Sequence, residues 1–149
     1  MRSFLIASLL FCSLPIIATA QEDTTIKSVI QTFFTAMHNG DTTLLKQTCT
    51  NFPLFQTVTQ DKAGNWKVIS QPFSSILEFV GLQHKDKYEE KITFQSILIE
   101  PNLASVWTPY TFFINEQISH CGINSFQLVK LDSTWKIQYI IDTRRRGCN

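Results

Sequence analysis

The sequence predicts an α+β domain, in which about three amphipathic helices from the N-terminal half cover a curved antiparallel sheet. Two observations point there. Apolar residues recur at helical spacing up to about Gly81 and then alternate with period two from Tyr88 to Arg145. The alternating half is interrupted only at Pro101-Asn102, Glu116-Gln117 and Asp132-Ser133, the short breaks of an antiparallel meander. A chain of 149 residues, 44% hydrophobic and 17% charged, suits one globular domain and no more.

The first twenty residues stand apart. Met1-Arg2-Ser3 is a short positive start, Phe4 to Leu14 is apolar apart from two serines, and Ala18-Thr19-Ala20 precedes Gln21 as a small-x-small cleavage site. Residues 1–20 are therefore expected to be a secretory signal, and 21–149 one domain acting in the periplasm or outside the cell. The stretch is shorter than the ~20 residues of a membrane span, and Pro15 interrupts it.

Ile26, Val29, Ile30, Phe33, Phe34 and Met37 form one face of the first helix, with Asp23 or Thr24 as its cap. Asn39-Gly40 is its stop, since both residues tolerate left-handed backbone. Asp41 caps a shorter helix carrying Leu44 and Leu45. Leu54 to Thr59 and Trp66 to Ser70 flank the polar loop Asp61–Asn65 as a hairpin. Pro72 opens a third helix with Phe73, Ile76, Leu77 and Val80 at helical spacing. Four strands follow, over about Glu89–Ile99, Ala104–Asn115, Ile118–Leu131 and Thr134–Arg145.

Tight turns set register, and register decides which side chains share a face. Folding at the three breaks places Ile97 opposite Val106, Val106 opposite Phe126, and Phe126 opposite Tyr139. The apolar face then carries Tyr110, Phe112, His120, Gly122, Asn124, Phe126 and Tyr139, while Trp107, Asp142 and Arg144 fall on the other. A single bulge would invert part of this assignment. Tyr110, His120, Asn124 and Tyr139, with Gly122 leaving space among them, fill volume poorly and point to a cavity.

The run Phe33-Phe34-Thr35-Ala36-Met37-His38-Asn39-Gly40-Asp41 resembles the first helix of the nuclear transport factor 2-like superfamily. So does the ending Gly122-Ile123-Asn124-Ser125-Phe126-Gln127-Leu128, Trp135-Lys136-Ile137, Asp142-Thr143-Arg144. Within it, the chain is most similar to the SnoaL-like group and its lumazine-binding branch. The resemblance implies a cone: a strongly curved sheet wrapped around helices, with a pocket at one end. It does not imply one chemistry, because the superfamily holds isomerases, dehydratases, epoxide hydrolases and non-catalytic domains.

The candidate ligand-binding residues are Tyr110, Phe112, His120, Asn124, Tyr139 and Arg144. The expected ligand is a small, largely apolar molecule held without a cofactor. His120 is the candidate proton carrier and Tyr110 or Tyr139 the candidate donor to a developing oxyanion. Asp142 is a third candidate, conditional on a bulge near Gly122. The alternatives are a cofactor-independent lyase or isomerase using His120 with a tyrosine, and an accessory homodimer meeting through the outer sheet face, where Trp107 lies beside Thr111.

Loss of Arg2 with the signal leaves basic residues equal in number to the 12 acidic ones. A neutral chain argues against nucleic acid and against anionic lipid as partners. The cysteine spacing matches no zinc site. Of Cys49, Cys121 and Cys148, any of three pairs could bridge; Cys148 tethering the tail to Cys49 is the pairing favoured, with three separate thiols as the alternative.

Overall fold

In a computed structural model, residues 15–82 and 84–148 are described. Helix α1 spans Pro15–Asn39 and buries Ile26, Ile30, Phe33 and Ala36. It begins upstream of Asp23 and Thr24, so neither caps it. Thr24 instead returns its hydroxyl to the Ala20 carbonyl one turn back. At the other end Gly40 adopts φ +70°, and the Asp41 amide closes on the Ala36 carbonyl at 2.9 Å. Asp41 then caps α2, Thr42–Thr48, accepting from the Leu44 amide at 2.9 Å.

Strands β1, Cys49–Gln60, and β2, Trp66–Gln71, form the expected hairpin. Asp61 organises its loop by accepting from the amides of Ala63 and Asn65. Helix α3 spans Phe73–Gly81. The strand expected over Glu89–Ile99 is two strands, β3, Tyr88–Ile92, and β4, Ser96–Glu100. Both pair with β5, Leu103–Ile114, but with phases one residue apart. Strands β6, Gln117–Leu131, and β7, Thr134–Thr143, complete a seven-stranded, unclosed sheet. The order is β2-β1-β7-β6-β5-β3, with β4 also on β5, and only β1 and β7 run parallel.

The concave face packs on the helices. Phe126, Leu128, Trp135 and Ile137 from the sheet meet Ile26, Ile30 and Phe33 from α1 in one core. Phe33 stacks on Phe55 and meets Phe126 edge-on. Glu22 anchors the start of the packed part of α1, accepting from Lys130 Nζ and Trp135 Nε1. Among the described residues no helix is long and apolar enough to cross a membrane.

Two bulges decide which residues face the helices. The β5–β6 turn occupies Asn115-Glu116, one residue earlier than expected, with both residues at positive φ. An extra residue at Ser119 then restores the expected phase, so Phe112 faces His120 and Val106 faces Phe126. The β6–β7 turn lies at Asp132-Ser133 as expected, and Leu128 pairs with Ile137 in the expected phase. Gln138 is then inserted, and beyond it Phe126 pairs with Ile140 rather than Tyr139. Every side chain from Tyr139 onward is thereby inverted.

The disulfide also differs from expectation. Cys148 pairs with Cys121, Cα atoms 5.8 Å apart, while Cys49 is a buried free thiol. The reason is topological. The chain beyond β7 continues alongside β6, where Arg145 and Cys121 exchange backbone hydrogen bonds, and this brings Cys148 to Cys121.

Candidate functional site

A partly open cavity of about 510 Å³ lies between the concave sheet and helices α1 and α3. Phe33 and Met37 from α1, Ile76 and Phe79 from α3, and Phe126 and Ile140 from the sheet form apolar walls. Glu90, Tyr110, His120, Asn124, Asp142 and Arg144 supply the polar part of the lining.

Register places these polar groups together. Tyr110 lies opposite Gly122, and Asn124 lies between Thr108 on one side and Asp142 on the other. The Gln138 bulge turns Asp142 inward, correcting the outward assignment. Its Oδ2 accepts from Tyr110 OH at 3.1 Å and Arg144 Nε at 3.0 Å, and its Oδ1 accepts from Thr57 Oγ1 at 2.5 Å. Tyr110 OH also reaches the Thr143 carbonyl at 3.0 Å. A Cβ on Gly122 would lie 1.8 Å from that carbonyl oxygen and 2.9 Å from Tyr110 Cε1. Only glycine lets this part of β7 and the Tyr110 ring approach β6 so closely.

The same bulge turns Tyr139 away. Its hydroxyl donates to Gln56 Oε1 at 2.6 Å, and the residue is absent from the cavity lining. The expected quartet of Tyr110, His120, Asn124 and Tyr139 is thus reduced to three. Phe112 and His120 are both in the lining and stack at 4.8 Å, while His120 meets the Tyr110 ring edge-on. His120 Nδ1 is 3.1 Å from Ser119 Oγ, an orienting neighbour supplied by the bulge. Burial, and then the Arg144 charge, hold the imidazole below its ordinary range, against the opposing pull of Asp142.

Glu90 is a polar residue of the cavity that sequence reasoning missed. Asn124 Nδ2 donates to its Oε1 at 2.7 Å. The residue keeps some solvent exposure, yet its carboxyl is pushed up to about 7. Burial is the main cause, the Asn124 hydrogen bond opposes it, the Asp142 charge adds to it and Arg144 reduces it. Burial, together with the Asp142 and Glu90 charges, also drives the Tyr110 phenol upward, so it stays a donor. The signal for Glu90 was present in the alternation: Tyr88, Glu90 and Ile92 share a face, and Tyr88 stacks on Phe112. The cavity therefore holds two inward carboxylates, Asp142 by way of a bulge and Glu90, where the unbulged register placed none.

Structures of known proteins show the same architecture. An NTF2-like protein of unknown function from Shewanella baltica OS155 superposes with a TM-score of 0.65 at 15% identity, over 86% of this chain and 97% of that one. A candidate dehydratase of the NTF2-like family from Streptomyces avermitilis gives 0.66 at 12% identity, over 87% and 99%. A protein of unknown function from Mycobacterium tuberculosis gives 0.70 at 14% identity, over 89% and 77%. No protein-family model and no curated protein matches the chain. At these identities the likeness speaks for the fold: the chain has the NTF2-like, cone-shaped α+β architecture.

Proposed function

We propose that the protein is an exported binding domain that holds a small, largely apolar molecule in the cone. The observation carrying this is the 510 Å³ cavity itself, apolar along α1 and α3, with its polar groups gathered around Asn124. That combination suits a ligand that buries a hydrophobic body and is oriented by one polar end. Phe112, His120, Asn124, Tyr110 and Arg144 are its contacts, joined by Glu90. The motifs around Phe33 and Gly122 support a place near the SnoaL-like, lumazine-binding branch. The Cys121–Cys148 bridge supports an oxidising compartment. A homodimer through the outer sheet face belongs to the same reading, supported by Trp107 at 45% and Leu98 at 69% exposure.

The test uses N-phenyl-1-naphthylamine, an apolar probe that fluoresces when removed from water. Micromolar binding is expected, and Ile76→Trp, which fills the cavity from α3, should abolish it while the melting temperature holds. Equal binding by that variant would remove the cavity as the site.

One observation favours a second reading, a cofactor-independent lyase or isomerase. A carboxyl held at about 7 beside a cavity can accept and return a proton at neutral pH. Glu90 fills that role better than His120, whose ring is held neutral. The Streptomyces avermitilis neighbour is itself a candidate dehydratase. Solvent deuterium appearing in a ligand recovered from the purified protein, and lost on Glu90→Gln, would establish this reading.

A further inference from the structure

The cavity's polar groups differ in what they leave available. Both Asp142 oxygens are taken, by Thr57, Tyr110 and Arg144. Each donor residue nearby has at least one bond of its own, though Arg144 keeps N–H groups to spare and His120 Nε2 has no partner among the described residues. Asn124 Nδ2 goes to Glu90, Tyr110 OH to Asp142 and the Thr143 carbonyl, and Thr57 Oγ1 to Asp142. Arg144 uses Nε on Asp142 and Nη2 on Thr57, and its side chain is 45% exposed. Two side-chain oxygens of this cluster remain without a partner among the described residues: Glu90 Oε2 and Asn124 Oδ1. They belong to two residues joined by a 2.7 Å hydrogen bond, and both line the cavity.

Asp142 is therefore a positioning residue, both of its oxygens already accepting from its own neighbours, and Glu90 with Asn124 is the part of the wall whose side-chain oxygens are unused. We infer that the cavity selects a small, largely apolar molecule whose polar end is an O–H or N–H donor, received by Glu90 and Asn124. A carbonyl-ended molecule of the same shape, placed against Glu90 and Asn124, would set lone pair against lone pair, a mismatch that weakens binding there by about 10- to 100-fold. The charged and titratable groups around Glu90 agree with this. Asp142 is paired with Arg144, Tyr110 stays protonated and His120 stays neutral, so the carboxylate of Glu90, which feels Arg144 only at a distance, has no ion pair among the described residues. A donor ligand would also favour the ionised carboxylate, so binding near neutral pH should release a proton.

This inference rests on the binding reading above, and the experiment separates the two. Indane, 2-indanone, 2-indanol and 2-aminoindane share one skeleton. Their affinities for the full mature chain are to be measured by calorimetry at pH 8, where Glu90 is ionised. The alcohol, the amine or both should bind at least tenfold tighter than the ketone and indane, and the pair tells a neutral donor from an ammonium. The preference should shrink in the unmodified protein at pH 5.5 and collapse to within about twofold in Glu90→Gln. All four binding within threefold of each other would overturn the donor inference and leave the binding site standing. A preference that survives both pH 5.5 and Glu90→Gln would overturn the role of Glu90. Binding by none of the four would overturn both readings.

Discussion

Glu90 and Gly122 each hold the site through a single physical property. The folded state keeps the Glu90 proton up to about pH 7, against an ordinary value of 4.5. Below about 4.5 both folded and unfolded chains are protonated here, and the folded state carries no penalty. Between 4.5 and 7 the unfolded chain ionises while the folded one resists, so stability falls as pH rises through this window. The loss is on the order of 2–3 kcal/mol. Glu90→Gln should flatten that part of the profile in urea unfolding across pH 4 to 8. An unchanged slope would mean the carboxyl is not desolvated. Gly122→Ala meets backbone rather than a yielding side chain, 1.8 Å from the Thr143 oxygen. It should cost about 2–4 kcal/mol and loosen the Tyr110–Asp142 contact. A variant as stable as the parent would show that β6 and β7 are not this close.

The meander rests on elements that the sequence announces well: the Asn39-Gly40 stop, the Asp41 cap, the Asp61 loop and the Asp132-Ser133 turn are all local chemistry. Bulges are not announced in this way. Gln138 is an ordinary strand residue, yet its insertion sends Tyr139 out and Asp142 in. The insertion lies beside an irregularity of β1 between Cys49 and Leu54, where the Gln138 side-chain Nε2 donates to the Phe52 carbonyl. The tail is decided at the same scale. Closing Cys121 to Cys148 over a separation of 27 residues should stabilise by about 3 kcal/mol. The mature chain, unfolded without reductant, should titrate one thiol, and peptide mapping should place it at Cys49. Finding it at Cys121 would restore the pairing expected from sequence.

At the scale of the molecule, the concave side is occupied by helices and the convex side is where a second copy would meet it. Light scattering should report a dimer, and Trp107→Glu should yield a folded monomer that still binds the apolar probe. A monomeric parent would remove the homodimer from the reading. Export belongs to the same scale. The proposed cleavage after Ala20 falls within α1 but keeps Glu22, the residue that accepts from Lys130 and Trp135, in the mature chain.

The fold class was legible because it depends on properties each segment carries alone. Helical spacing over Ile26–Met37, two-residue alternation from Tyr88, and the turn residues between strands need no distant partner to be read. Tyr110, Phe112, His120 and Asn124 were also read as neighbours, because the earlier turn at Asn115-Glu116 and the extra residue at Ser119 offset one another and leave the expected phase intact. Asp142, Tyr139, Glu90 and the Cys121–Cys148 bridge were decided elsewhere. Each depends on how one strand meets another beyond the reach of a turn's local chemistry: β7 against β1 and β6, β3 against β5, the tail against β6. A one-residue offset in such a pairing is invisible to local pattern, yet with a side-chain period of two it reverses every face that follows.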